Sequence, residues 1–121
     1  MGRVVEMLFI LNGAPQDEDR TRNGLRLAGA LVKRAKVPVR LFLMGEAIMV
    51  ATRNDKVPCQ SEGLAEVLDR VIRIGDWRVA VCGTCMDARS ITRIDLLEGC
   101  HRGTMSELAE WTLQADKVLV F

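Results

Sequence analysis

The chain has 121 residues, with 17 Lys and Arg against 16 Asp and Glu and a formal net charge of +1. That size suits one domain over residues 1–121, able to hold a core without disulfide staples. So balanced a charge offers no basic face to nucleic acid or an anionic membrane, and no Tyr, two Trp and three Phe leave little for base stacking.

Residues 3–11 are nearly continuous apolar with β-branched members, the pattern of a strand buried on both faces. The run is too short to span a bilayer, and Glu6 interrupts it with no cleavage pattern behind, so no signal peptide is expected. The four cysteines, at 59, 82, 85 and 100, are therefore read as thiols of a cytoplasmic protein rather than a disulfide framework.

Asn12-Gly13-Ala14-Pro15 ends the first strand. Leu25, Ala28, Leu31, Val32 and Ala35 then recur at helical spacing, predicting a helix over about residues 20–35. Val37-Pro38 stops it, because proline disfavours helical geometry in the residue before it. Residues 39–43 form a second strand, and 44–51 turn at Gly45 into a short helix. Residues 52–62, charged and without period, read as a loop. Leu64, Val67, Leu68, Val71 and Ile72 predict an amphipathic helix ending near Gly75.

A third strand, 77–81, feeds the stretch Cys82-Gly83-Thr84-Cys85, and a short helix follows to about Ile91. Residues 93–102 are ambiguous, with a strand as one reading. Thr104 and Glu107 have capping-box spacing at the head of a helix, and residues 117–121 make a last strand. Alternating strands and helices predict an α/β fold, a three-layer α/β/α sandwich with a mostly parallel sheet of about five strands and flavodoxin-like topology.

The chemistry concentrates at Cys82 and Cys85. A cysteine at a parallel strand's carboxyl end, entering a helix, meets backbone N–H groups and the positive end of a helix dipole, and both favour the thiolate. Three uses fit: persulfide chemistry, in which a thiolate takes and hands on sulfur; a dithiol/disulfide redox couple; and metal binding. Redox proteins of the thioredoxin type usually carry an aromatic or proline flank, where this motif has Gly-Thr. Metal binding lacks a second closely spaced pair, although Cys100-His101 offers two ligands. Against all three stands plain packing of small buried thiols, the favoured reading for Cys59 and Cys100.

Arg89, one turn past Cys85, is placed to stabilise a sulfur anion or to pair with Asp87, Asp95 or a neighbouring subunit. His101, the only histidine, reads as a surface residue rather than a general base. Asn12 and Gly13 would line the same sheet edge. With no G-x-G-x-x-G after the first strand and no Walker A, nucleotide binding has no support.

Cys82-Gly83-Thr84-Cys85-Met86-Asp87-Ala88-Arg89 resembles the C-G-T-C-x-D-A-R-G signature of DsrE/DsrF-like proteins, the sulfur-relay group with TusD-like subunits. Leu11-Asn12-Gly13-Ala14-Pro15, Leu43-Met44-Gly45-Glu46-Ala47, Leu108-Ala109-Glu110-Trp111 and residues 115–121 extend the resemblance over almost the whole chain. It implies a cytoplasmic homo-oligomer, often a trimer or hexamer, that accepts sulfur as a cysteine persulfide and passes it on between donor and acceptor proteins. No cofactor and no metal are expected. The sulfur-carrying cysteine falls on Cys82, with Cys85 as helper or resolving thiol, Arg89 as anion stabiliser, and Gly83, Thr84 and Asn12 beside the sulfur. Two positions depart from the pattern. The Gly after Arg is Ser90, so the turn there is expected to manage without a free positive-φ residue, and an Asp expected after Asn12 is Gly13.

Overall fold

A computed structural model describes residues 5–13, 19–35, 38–53, 68–69, 72–73 and 78–121. Its elements in chain order are strand β1 (Met7–Leu11), helix α1 (Asp19–Ala35), strand β2 (Val39–Leu43), a 3₁₀ segment (Gly45–Ala51), strand β3 (Arg78–Cys82), helix α2 (Gly83–Ala88), a 3₁₀ turn (Arg93–Asp95), strand β4 (Cys100–Gly103), helix α3 (Met105–Gln114) and strand β5 (Lys117–Val120). Of the helix expected over 64–75, residues 68–69 and 72–73 are described and helical. The rest of it lies outside the described residues, as do Trp77, Cys59 and most of the loop expected over 52–62.

All five strands are parallel, in the order β4-β3-β2-β1-β5. The α/β class and the five-stranded parallel sheet are those expected. In the flavodoxin order 2-1-3-4-5, β1 would lie between β2 and β3; here it lies between β2 and β5. The ambiguous segment before Thr104 resolves as β4, an edge strand.

This order sorts the helices. From β1 to β4 each crossover steps the same way across the sheet, so right-handed connections put their helices on one face. That face buries Phe9, Leu41, Val79 and Val81 against Leu25, Ala28 and Val32 of α1, Ile48 and Val50 of the 3₁₀ segment, Leu68, and Met86 of α2. The step from β4 back to β5 runs the opposite way and carries α3 to the other face. There Leu8, Phe42, Ala80 and Cys82 meet Leu108 and Trp111, with the Phe42 and Trp111 rings edge to face at 6.2 Å.

Strands β1, β2 and β3 are mostly apolar on both sides because both sides are covered. At the edges cover is thinner: His101 of β4 is exposed, as are Val118 and Val120 of β5 and Leu113 on α3.

Helix ends follow local chemistry. Thr104 caps α3, its hydroxyl accepting the Glu107 N–H at 3.1 Å. The reciprocal half of the expected capping box is not made with the Thr104 backbone; the Glu107 carboxylate takes the His101 ring instead, at 2.9 and 3.0 Å. Helix α2 ends in a Schellman motif: Ile91 N–H donates to Met86 O at 3.0 Å and Ser90 N–H to Asp87 O at 3.2 Å. The motif needs a left-handed residue, and Ser90 adopts φ 55°. The turn does not avoid a positive φ, as expected from the sequence; a serine is held in one.

Candidate functional site

Strand β3 alternates. Val79 and Val81 point to the face under α1, Ala80 and Cys82 to the face under α3. Cys82 is the last strand residue and is buried. Directly after it, Gly83 opens α2 toward the first face. In the neighbouring strand, Gly103 pairs with Cys82, and the chain after it turns into α3 on the other face. The connections leaving β3 and β4 thus diverge, the arrangement that opens a crevice beyond the carboxyl ends of parallel strands. Cys82 sits at that divergence.

The two thiols of the motif differ in surroundings. The Cys82 Sγ lies 3.3 Å from the Thr84 hydroxyl. Burial pushes its pKa up, but hydrogen bonding from the Thr84 hydroxyl, the Cys85 thiol and the backbone amides of Cys85 and Thr84 outweighs it, and the net direction is down. Cys85 packs against both core clusters. Burial and the hydrogen bond to Cys82 push its pKa up, against the opposing pull of the Gly45 N–H. That amide donates to the Cys85 Sγ at 3.2 Å. The two thiols are thus pushed in opposite directions, Cys82 toward thiolate and Cys85 toward thiol.

Arg89 does not face Cys82. Its guanidinium donates to the Cys85 carbonyl at 3.1 Å and lies 3.8 Å from the Glu46 carboxylate. Its charge bears on Cys85, whose pKa it lowers. Neither Asp partner weighed for it is used this way: Asp95 accepts from Thr92, and Asp87 pairs with Arg102. Asn12 follows β1, and β2 lies between it and β3, about 10 Å of sheet. Its side-chain amide donates to the Phe121 carbonyl at 3.3 Å. It therefore stands on the same sheet edge as the thiols without reaching them.

Cys100 and His101, adjacent in sequence, point to opposite faces of β4 and cannot converge on one ion. Cys100 packs on the first core, and burial, with the Asp69 charge, pushes its thiol up to about 12. His101 lies edge-on to Trp111 at 6.1 Å. Among the described residues no three His, Cys, Asp or Glu side chains gather as a metal site would require.

Sequence reasoning overlooked two contributors. Gly45 reaches Cys85 because its φ of 54° turns the chain sharply after β2. Arg102 is the other: it forms a bidentate pair with Asp87 at 2.8 and 2.9 Å, and its guanidinium lies against Gly83. The signal was present in Arg102-Gly103-Thr104, a strand ending before a helix cap. It was legible only once that segment was known to be the neighbour of β3.

A vicinal pair of unlike thiols at the carboxyl edge of a parallel sheet defines an α/β protein with a strand-end cysteine site. The chain belongs to the DsrE/DsrF-like family, whose model matches residues 6–121. It is 38% identical over 117 residues to Protein YchN of Escherichia coli K12, covering 96% of this chain and 98% of YchN. An uncharacterized protein of Methanocaldococcus jannaschii is 30% identical over 117 residues, covering 97% of this chain and all of the relative's (100%). The crystal structure of the E. coli ychN protein superimposes with TM-score 0.84 at 36% identity, over 97% of this chain and 99% of that one. A protein of unknown function from Methanobacterium thermoautotrophicum shares the fold with TM-score 0.71 at 13% identity, covering 97% of this chain and 99% of that one.

Proposed function

We propose that this protein is a sulfur carrier in which Cys82 accepts sulfane sulfur as a persulfide and hands it on. The observation that carries the reading is the asymmetry of the thiol pair: Cys82 is pushed toward thiolate and Cys85 toward thiol. A carrier needs one nucleophile, and the thiolate is the nucleophilic form.

In the loading step the Cys82 thiolate attacks the terminal sulfur of a donor persulfide. A new S–S bond forms on Cys82, the donor's S–S bond breaks, and the donor leaves as a thiol with the proton its persulfide carried. In the transfer step an acceptor nucleophile attacks the terminal sulfur, and Cys82 departs as thiolate. Cys85 acts as the helper, its S–H donating to the Cys82 sulfur. The Thr84 hydroxyl and the amides of Thr84 and Cys85 favour the same charge.

The reading includes a cytoplasmic homo-oligomer, trimer or hexamer, working with protein donors and acceptors. Among the described residues no helix is long and apolar enough to cross a membrane. The exposed Val118, Val120 and Leu113 beside an unpaired strand edge favour contact with further copies. Light scattering behind a sizing column checks this; a monomer at all concentrations counts against it.

Intact-protein mass spectrometry after incubation with a cysteine desulfurase and cysteine tests the chemistry. A gain of one sulfur, kept in Cys85→Ser and lost in Cys82→Ser, is the expected result. Full loading of Cys82→Ser would sink the assignment. The mutual influence of the two thiols, each of which moves the other's pKa, favours a second reading, a disulfide redox couple. It would lose two hydrogens on oxidation and show a measurable Cys82–Cys85 potential. Slow alkylation at both thiols, with stability lost in each Cys→Ser variant, would instead mark a scaffold without thiol chemistry.

A further inference from the structure

Residues from three elements surround the end of β3 at Cys82. From α2 come Thr84 and Cys85. From α3 the Glu107 carboxylate approaches Gly103, the strand partner of Cys82, and is taken up by His101. From β4 comes Arg102, the residue before Gly103, whose guanidinium reaches Gly83. A methyl group placed on Gly83 would stand 2.8 Å from its Cζ and 2.9 Å from Nε and Nη2. The guanidinium is thus seated on the residue that follows Cys82, and only a residue without a side chain leaves room for it. Asp87, one turn further along α2, fixes it by a fork-to-fork pair.

We propose that Arg102, clamped by Asp87 across the bare backbone of Gly83, is a positioning residue that holds a permanent positive charge beside the Cys82 sulfur anion. The task fell to Arg89 in the sequence, but Arg89 is turned to Cys85 and Glu46. Asp87 foremost, and the Cys82 charge last, push the guanidinium's pKa up, while the groups that lower the Cys82 pKa are led by Thr84 and Cys85. An arginine suits the place because its planar fork can donate to Asp87 with one edge and lie against the bare backbone of Gly83, which an ammonium group cannot do. The inference deepens the carrier reading and rests on it for its purpose, though not for its test.

The test is the pH profile of Cys82 alkylation by iodoacetamide, from about pH 5 to 10, with Cys82 and Cys85 separated by peptide mass spectrometry. It is run on the full chain, as wild type, Arg102→Gln, Arg102→Lys, Gly83→Ala and the Gly83→Ala/Arg102→Gln double variant. Arg102→Gln is expected to move the Cys82 midpoint upward and slow alkylation below it roughly three-fold or more. Gly83→Ala, whose methyl meets the guanidinium first, should do the same with Arg102 still present. The double variant should be no slower than either single, because both remove one interaction. Arg102→Lys should keep part of the effect.

A Cys82 profile unchanged in Arg102→Gln overturns the proposal, and so do effects of the two single variants that add in full. Should Arg102→Gln fail to fold, as circular dichroism would show, Gly83→Ala decides alone. Sulfur loading is read separately. Loading without an Arg102 effect removes this inference and leaves the carrier, whereas an Arg102 effect without loading does the reverse.

Discussion

At Cys82 the immediate neighbours decide the chemistry. An ordinary thiol is largely protonated near neutrality. Here the Thr84 hydroxyl, the Cys85 thiol and two backbone amides oppose the burial that would keep it so. Alkylation of Cys82 is therefore expected to rise with pH through a midpoint below that of a free thiol, and Cys85 through one above. Thr84→Val removes the 3.3 Å hydroxyl contact and should move the Cys82 midpoint up while leaving the fold intact; a midpoint that stays put would show the hydroxyl to be a bystander. Cys100 supplies the opposite case. Its thiol is pushed from 9.0 to about 12, so the folded chain binds a proton that the unfolded chain has released. The stability this contributes is fully present below about pH 9, is lost as pH rises toward 12, and falls by at most about 1.4 kcal/mol per pH unit. The chain has no tyrosine to titrate in that window. Denaturant unfolding measured stepwise above pH 9 should show the decline, and Cys100→Val should flatten it.

Among the elements, α2 carries a strained end. Its Schellman motif brings Ile91 back over Met86, both buried in the first core, and makes Ser90 adopt φ 55°. A non-glycine residue in that region costs about 1–2 kcal/mol, partly offset because glycine loses more freedom on folding. Ser90→Gly is thus expected to stabilise the protein by up to about 1 kcal/mol, read as a higher unfolding midpoint in urea. An unchanged or lower midpoint would mean that the serine is relieved by its surroundings. Helix α3 has another dependence. Thr104 satisfies one of its first amides, and Thr104→Ala should cost about 1 kcal/mol in the same assay.

For the whole molecule, strand order governs both cover and site. The first face is shared by α1, the 3₁₀ segment, Leu68 and α2. The second depends, among the described residues, on α3, through Leu108 and Trp111. Trp111 touches Phe42 edge to face and carries Arg40 over its ring at 5.4 Å. Trp111→Ala should cost about 3–5 kcal/mol by the cavity it leaves, and by exposing Cys82 it should speed alkylation at every pH and lower the midpoint, because burial is what pushes that pKa up. Unchanged stability would show that Trp111 does not hold this face together.

The linear chain by itself determined the elements that depend on near neighbours. The strands 7–11, 39–43 and 117–120 show as apolar runs, α1 shows as a period of buried Leu25, Ala28 and Val32, and the α3 cap shows as Thr104 three residues before Glu107. The C-x-x-C at a strand end, and with it the family, was equally legible, because spacing along the chain is all that such a motif needs. Tertiary structure alone decided which residues from distant segments meet. It made residues 100–103 an edge strand, although Gly99 and Gly103 weaken its pattern, because backbone pairing with β3 satisfies the peptide groups there. It turned Arg89 to Cys85 and brought Arg102 onto Gly83, and it spent the Asn12 amide on the Phe121 carbonyl. It also gave Cys82 and Cys85 opposite proton preferences, since these depend on a hydroxyl, an amide from the turn after β2 and the depth of burial. Hydrogen bonds and charges act over a few ångströms of space, and separation along the chain does not record that distance.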